Sequence, residues 1–292
     1  MTSSKMPFAA RLTKATAARG RLCVGIDPHP ASLAAWGLKD DLTGLETFSR
    51  GMVAALAGNV ACFKPQSAFF EAYGSAGMSV LAYVLHDIAA AGAISILDAK
   101  RGDIGSTMSA YAKAYLSDGA PLAADAITLS PFLGFGSLTP AIDVATQTGR
   151  GVFVLVRTSN PEGAQVQLAK EESLLAGSLS GFSPSVAQRI VTSAASVNTQ
   201  AGTPVVGLVV GATLGSLDVG LRGFDGWILA PGIGAQGGDI TRLTKLFGSV
   251  ISHVLPTVSR SVADAGPSPR ALRSAVRQLL SAAAASQAEA SR

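Results

Sequence analysis

The densest run of ionisable side chains in the sequence is Asp98-Ala99-Lys100-Arg101-Gly102-Asp103. Residues two apart on an extended chain share a face, so Asp98 and Lys100 lie within reach of each other. Asp103 follows Gly102 on a turn. Lys64, on the preceding apolar run, completes an alternating Lys64–Asp98–Lys100–Asp103 array. A lysine held among carboxylates keeps its proton, which suits a proton donor and opposes an amine nucleophile. Asp-x-Lys alone reads equally as a structural ion pair. The chain, however, has only 14% charged residues, and Asp27, Lys64, Asp98, Arg157 and Arg260 all follow apolar runs. That recurrence favours a shared site.

A second constellation is Ala230-Pro231-Gly232-Ile233-Gly234-Ala235-Gln236-Gly237-Gly238-Asp239, followed by Ser259-Arg260-Ser261. Glycine lets backbone N–H groups approach an anion closely, and an arginine adds a charge-assisted contact. His29, His86 and His253 show no metal-ligand spacing and read as ordinary surface or core histidines. The chain contains neither a Gly-x-Ser-x-Gly elbow nor a Gly-Lys-Ser/Thr phosphate loop.

Eight short apolar runs must carry these residues: Leu22–Ile26, Val60–Phe63, Ala93–Leu97, Ala126–Leu129, Val152–Val156, Val205–Val210, Trp227–Leu229 and His253–Thr257. Helical stretches lie around 43–58, 77–91, 106–117, 137–147, 183–198, 214–222, 237–247 and 268–285. Continuous apolar strands suit a parallel sheet buried on both faces. Eight β-then-α units predict a single-domain (β/α)8 TIM barrel spanning residues 1–292, with a doubly wound sheet as the alternative. In such a barrel the charged residues gather at the C-terminal ends of the strands. The loops after strands seven and eight are then the usual phosphate site. Residues 1–20 are expected to form an N-terminal helical extension, with its helix from about Phe8 to Ala18. Residues 158–182 read as a long loop with a short helix over the barrel, and 285–292 as a frayed tail.

Composition excludes several classes. Of 23 basic residues, five lie in the first 21 positions with no acid among them, leaving 18 basic against 19 acidic residues. The body is nearly neutral, and no basic stripe interleaved with aromatics marks a nucleic-acid partner. No run of about 18 apolar residues predicts a membrane span. The N-terminus lacks a secretory apolar region; its basic, acid-free start resembles a transit peptide, but a packed first helix is the expectation. Cys23 and Cys62 read as buried thiols, which fits a cytoplasmic setting.

These motifs identify a family resemblance. The chain resembles the orotidine 5′-phosphate decarboxylases, in their longer, type 2 form. It does so through VGIDPHP at 24–30, FKPQSAFFE at 63–71, LDAKRGDIGST at 97–107, TLSPFLGFGSL at 128–138, VRTSNPEG at 156–163, VVGAT at 209–213, APGIGAQGGD at 230–239 and TVSRSV at 257–262. The resemblance implies cofactor-free, metal-free conversion of orotidine 5′-phosphate to uridine 5′-phosphate and carbon dioxide, the last step of de novo UMP synthesis. It implies that Lys100 protonates the ring carbon, Asp98 lies near the departing carboxylate, and Lys64 links the array to the ribose. It assigns Asp27 to the ribose hydroxyls, Ser159 and Asn160 to the pyrimidine, and Gln236, Gly237 and Arg260 to the phosphate. It also implies a homodimer in which Asp103, Ile104 and Thr107 reach into the neighbouring subunit's site.

Rivals differ in chemistry. Magnesium-dependent 3-keto-gulonate 6-phosphate decarboxylases and hexulose phosphate synthases share Asp-x-Lys-x-x-Asp but supply a carboxylate where Lys64 stands, and an ammonium there opposes a divalent cation. A Schiff-base aldolase needs a neutral lysine, which the flanking aspartates oppose. A non-catalytic nucleotide-binding protein is expected to have lost Lys100 or Asp98, and both are present.

Overall fold

A computed structural model describes residues 6–170 and 183–290, with side chains as far as residue 285. Eight parallel strands close into a barrel in sequence order: β1 (Cys23–Ile26), β2 (Cys62–Pro65), β3 (Ile94–Arg101), β4 (Ala126–Leu129), β5 (Gly151–Arg157), β6 (Val206–Val210), β7 (Ile228–Ile233) and β8 (Val254–Val258). The first strand pairs with the last, Cys23 opposite Thr257. Each expected strand is present, and β3 and β7 run on by four residues.

The helices are α1 (Phe8–Arg19), α2 (Pro30–Ala35), α3 (Leu42–Leu56), α4 (Ser67–Glu71), α5 (Gly74–Ala90), α6 (Gly105–Leu116), α7 (Thr139–Thr148), α8 (Ala164–Gln167), α9 (Val186–Ala201), α10 (Leu243–Phe247), α11 (Arg260–Ala263) and α12 (Pro269–Ala290). The helix expected over 214–222 is absent. Gly211, Gly215, Gly220 and Gly223 punctuate this stretch, and its backbone forms successive turns instead. The expected helix at 237–247 is reduced to a 3-10 turn, Ile240–Arg242, and the five residues of α10. His253 ends a 3-10 turn before β8 rather than opening the strand. α12 continues to Ala290, so helical backbone extends into the stretch read as a frayed tail. Of the 158–182 connection, the short helix is α8. The remainder of the expected loop, 171–182, lies outside the described residues.

Strand alternation builds two apolar layers. Inside the barrel meet Cys23, Cys62, Ile96, Ala126, Phe153, Val209, Leu229 and Leu255, one or more from every strand. Val24, Phe63, Leu97, Ile127 and Val154 point outwards to the helices. Because both faces are apolar, the strands read as unbroken hydrophobic runs.

α1 covers the N-terminal end of the barrel. Phe8, Ala9 and Leu12 are buried in the interior cluster, with the Phe8 ring edge-on to Phe153 at 5.8 Å. Arg11 pairs with Asp125 and donates to the Gly149 carbonyl at 3.2 Å, and Trp227 Nε1 donates to the Ala9 carbonyl at 3.4 Å. A Cβ at Gly151 would come within 2.5 Å of the Phe8 ring, so the glycine makes room for this plug. Phe8→Ala is expected to lower unfolding free energy by about 3 kcal/mol, measured by urea titration.

Candidate active site

At the opposite end of the barrel, a cavity of about 370 Å³ opens between the C-terminal ends of the strands. Its charged floor comes from β2 and β3. Lys64 and Asp98 are buried, at 5% and 6% exposure, although both are ionisable. The Asp98 carboxylate accepts four hydrogen bonds. Oδ2 takes Lys64 Nζ at 2.7 Å and Gln66 Nε2 at 3.1 Å, while Oδ1 takes Lys100 Nζ at 2.6 Å and Thr128 Oγ1 at 2.9 Å. A buried carboxylate is tolerated only when its lone pairs are met this fully.

Burial opposes the charge on Asp98, but the ammonium groups of Lys64 and Lys100 outweigh it and hold the carboxyl well below the usual carboxylate range. Burial likewise opposes the charge on Lys64, and the carboxylates of Asp98 and Asp27 reverse this and raise its pKa. Asp98 therefore contributes stability that is full above its ordinary value of 3.8 and lost as pH falls through the depressed one. The contribution of Lys64 is full below 10.5 and lost as pH rises through the raised value. The unfolding free-energy difference between wild type and Lys64→Met is accordingly expected to stay flat from about pH 5 to 9. A slope inside that window, in urea titrations at each pH, would show that one partner exchanges protons there.

Lys100 differs from its neighbours. Its side chain is 44% exposed and reaches the cavity from a bulge, where β3 departs from regular pairing with β4 between Leu97 and Arg101. The expected Asp98–Lys100 contact is present, but the chain between them is not plain strand.

Asp27, just after β1, faces Lys64 across the cavity. Its Oδ1 and the hydroxyl oxygen of Ser259 are buried without a hydrogen-bond partner, so acceptors stand ready for a ligand's hydroxyls. Apolar side chains of Leu155, Val209, Leu229 and Pro231 form one wall, with Thr158, Ser159 and Asn160 above it. A Cβ at Gly211 would meet Ser159 Oγ at 2.1 Å, so this glycine admits the serine.

At the far end the β7 loop turns through left-handed glycines, with φ +105° at Gly232 and +80° at Gly234. The N–H groups of Gly234, Gly237 and Gly238 donate within the loop to Gly238, Gly234 and Gly232 carbonyls at 2.7, 2.7 and 3.0 Å. Ala235, Gln236 and Arg260 remain to face the cavity. Among the described residues nothing accepts from the Arg260 guanidinium.

The structure thus brings together Asp27, Lys64, Asp98, Lys100, Ser159, Gln236 and Arg260. Gly237 lies instead on the outer side of the loop, lining a separate hollow with Thr213 and Arg242. Asp103, Ile104 and Thr107 do not line the cavity. Asp103 Oδ1 accepts from the Ile104 N–H at 2.8 Å, and Ile104 is 62% exposed. Arg157 leaves β5 in the wrong direction for the site. Its guanidinium donates to Thr158 O at 2.8 Å, Gln167 Oε1 at 3.2 Å and Asp218 at 3.3 Å, tying down the loop that carries Ser159. Sequence reasoning missed Gln66 and Thr128. Gln66 stands two residues after Lys64, the same spacing that linked Asp98 to Lys100. His29 caps α2 through Nδ1, accepting from Ala31 N at 3.2 Å, and His86 is exposed.

Comparison with known proteins gives the same result along nearly the whole chain. Orotidine 5′-phosphate decarboxylase of Streptomyces coelicolor is 51% identical over 272 residues, covering 92% of this chain and 94% of its own. That of Salinispora arenicola is 50% identical over 275 residues, covering 94% and 95%. A crystal structure from Streptomyces avermitilis superposes with a TM-score of 0.90 at 48% identity, covering 98% of this chain and 97% of that one. The OMP decarboxylase of Leishmania donovani superposes at 0.73 with 29% identity, covering 96% and 99%. A family model described as orotidine 5′-phosphate decarboxylase / HUMPS matches residues 20–275, which hold every strand and the whole charged floor, and the chain belongs to that family.

Proposed function

We propose that this protein is an orotidine 5′-phosphate decarboxylase (EC 4.1.1.23), releasing carbon dioxide and forming uridine 5′-phosphate without cofactor or metal. The observation that carries this reading is the four-donor Asp98 carboxylate, with Lys64 at 2.7 Å and Lys100 at 2.6 Å, at one end of a cavity that ends in Gln236 and Arg260. Lys64 also separates the chain from the metal-dependent branch, since its ammonium occupies the place where a divalent cation needs an anionic ligand.

In this reading the phosphate sits between Gln236 and Arg260, beside Ala235 of the β7 loop. Asp27 and Lys64 take the ribose hydroxyls, and Ser159 and Asn160 take the pyrimidine edge. The ring lies along Leu155, Val209 and Leu229, and its carboxylate meets Asp98. The carbon–carboxylate bond breaks, its electron pair stays on the ring carbon, and carbon dioxide leaves. Lys100 then gives its Nζ proton to that carbon and is reprotonated from solvent, which its exposure permits. The ring offers no adjacent carbonyl sink, so the developing charge is stabilised by a pre-positioned ammonium. Carboxylate against carboxylate disfavours the ground state. Phosphate contacts remote from the breaking bond supply binding energy that is realised in the transition state.

The long connection after β5, with FKPQSAFFE and SPFLGFGSL, supports the type 2 subfamily. A homodimer is supported by the position of Asp103, Ile104 and Thr107 outside their own cavity and by exposed apolar neighbours, Ile104, Phe132 and Leu133 at 62%, 75% and 52%. We take the barrel as one domain over 1–292 and its setting as the cytoplasm, where two unpaired thiols suit a pyrimidine-synthesis enzyme.

The test is the ultraviolet absorbance change when purified, chelator-treated protein meets orotidine 5′-phosphate. Rapid conversion to uridine 5′-phosphate is expected. Folded protein that leaves the substrate unchanged, or needs magnesium, would overturn the reading.

A further inference from the structure

Lys100 is the one non-glycine residue described with a left-handed backbone, at φ +46°. Such a conformation persists in a side-chain-bearing residue only where its surroundings impose it. On the β4 side the imposing contacts come from one residue. From Leu97 to Arg101 β3 advances four residues while its partner β4 advances two, Ile127 to Leu129, so residues 98–100 are looped out of regular pairing with β4, while Asp98 keeps a bridge to Gln66 on the β2 side. The N–H groups of Ala99 and Lys100 instead both donate to Thr128 Oγ1, at 3.1 and 2.9 Å. The same hydroxyl donates its proton to Asp98 Oδ1 at 2.9 Å. A hydroxyl has one proton and two lone pairs, so Thr128 is fully used, and it is 1% exposed. Arg101 Nη1 holds the Ala99 carbonyl at 3.2 Å from the other side.

We propose that Thr128 is a positioning residue for the decarboxylation. Its three-way hydrogen bond folds the Lys100 backbone over Asp98 and so aims the Lys100 ammonium at the reacting carbon. The proposal rests on the decarboxylase reading for its catalytic consequence, and on the bulge geometry alone for the clamp. A lysine side chain is long and flexible, so the direction in which it leaves the backbone decides where its proton arrives. Removing the hydroxyl leaves two N–H groups unpaired, that of Ala99 buried, and the bulge relieves them by relaxing away from the left-handed conformation. Asp98 keeps Lys64, Gln66 and Lys100 as donors, so the charge on the floor is conserved while the aim of Lys100 is lost.

The test compares Thr128→Val, which keeps shape without the hydroxyl, with Thr128→Ser, which keeps the hydroxyl. The valine variant is expected to lower kcat about 10- to 100-fold while calorimetric affinity for uridine 5′-phosphate stays within about threefold. Serine is expected to restore kcat to within about threefold of wild type. Amide hydrogen exchange at Ala99 and Lys100 is expected to speed up at least about tenfold in the valine variant and not in the serine one. Wild-type kcat in Thr128→Val, equal damage in both variants, or a loss that falls on product affinity with kcat intact would overturn the proposal. Should Thr128→Val not fold, Thr128→Ala is judged by the same measurements. If the wild type fails to decarboxylate, the decarboxylase reading falls. The exchange measurement then still decides the clamp, since unchanged protection in Thr128→Val would refute it.

Discussion

Lys100→Ala is expected to lower kcat by at least about 10⁴-fold, at the top of the range for a positioned general acid. It removes the proton and also the charge that stabilises the ring carbanion. Binding of uridine 5′-phosphate should survive. Asp27, Ser159, Gln236 and Arg260 line other parts of the cavity, and the Lys100 ammonium itself bonds Asp98. The fold should survive too, because the Lys100 side chain is 44% exposed and Asp98 retains Lys64, Gln66 and Thr128. Absorbance kinetics and titration calorimetry with the product check both halves. Turnover near the wild-type rate would remove the acid assignment.

Mixing two inactive proteins is expected to restore activity. If Asp103 of one subunit completes its neighbour's site, a dimer of Lys100→Ala with Asp103→Ala contains one site with both lysine and aspartate intact. Random exchange of equal amounts gives half mixed dimers, each with one good site of two, so activity approaches about a quarter of wild type. The placement of Asp103 motivates this. It leaves the bulge three residues after Lys100, beyond Gly102, whose missing Cβ would meet the Ser130 carbonyl at 2.3 Å. It then faces away from the cavity its own strand serves. Exchange is followed by native mass spectrometry, and the assay is run on the exchanged sample. Demonstrated mixed dimers with no recovery would reject the shared site.

Much of this arrangement was legible in the sequence for one reason: charge is scarce and strands are buried on both faces. All eight strands could be located from apolar runs, yet β3 was read as ending at Leu97 and β7 at Leu229. The hydrophobic signal stops there because Asp98, Lys100 and Arg101 occupy the end of β3, and Pro231 and Gly232 interrupt the end of β7. Backbone pairing is interrupted there and resumes at Arg101 and Ile233. The helix expected at 214–222 failed because Gly215 and Gly220 lie inside it, and glycine is a poor helix former. Asp98, Lys100 and Lys64 announced themselves by charge. Gln66 and Thr128 did not, since one neutral polar residue in an apolar run carries no sign of what it bonds. The left-handed Lys100 was invisible because such a conformation is legible only where glycine marks it. Asp103, Ile104 and Thr107 owe their assignment to resemblance, as spacing cannot reveal a contact made across subunits.

The plug at the base of the barrel sets a timetable. α1 precedes every strand, yet Phe8, Ala9 and Arg11 in its first turns have as partners Asp125, Gly149, Phe153 and Trp227, which follow between a hundred and more than two hundred residues later. An interface spread over β4, β5 and β7 does not exist until those strands have closed, and contacts that distant form late. The start of a helix made before every strand therefore waits for strands that come long after it. Its docking records that the cylinder has closed.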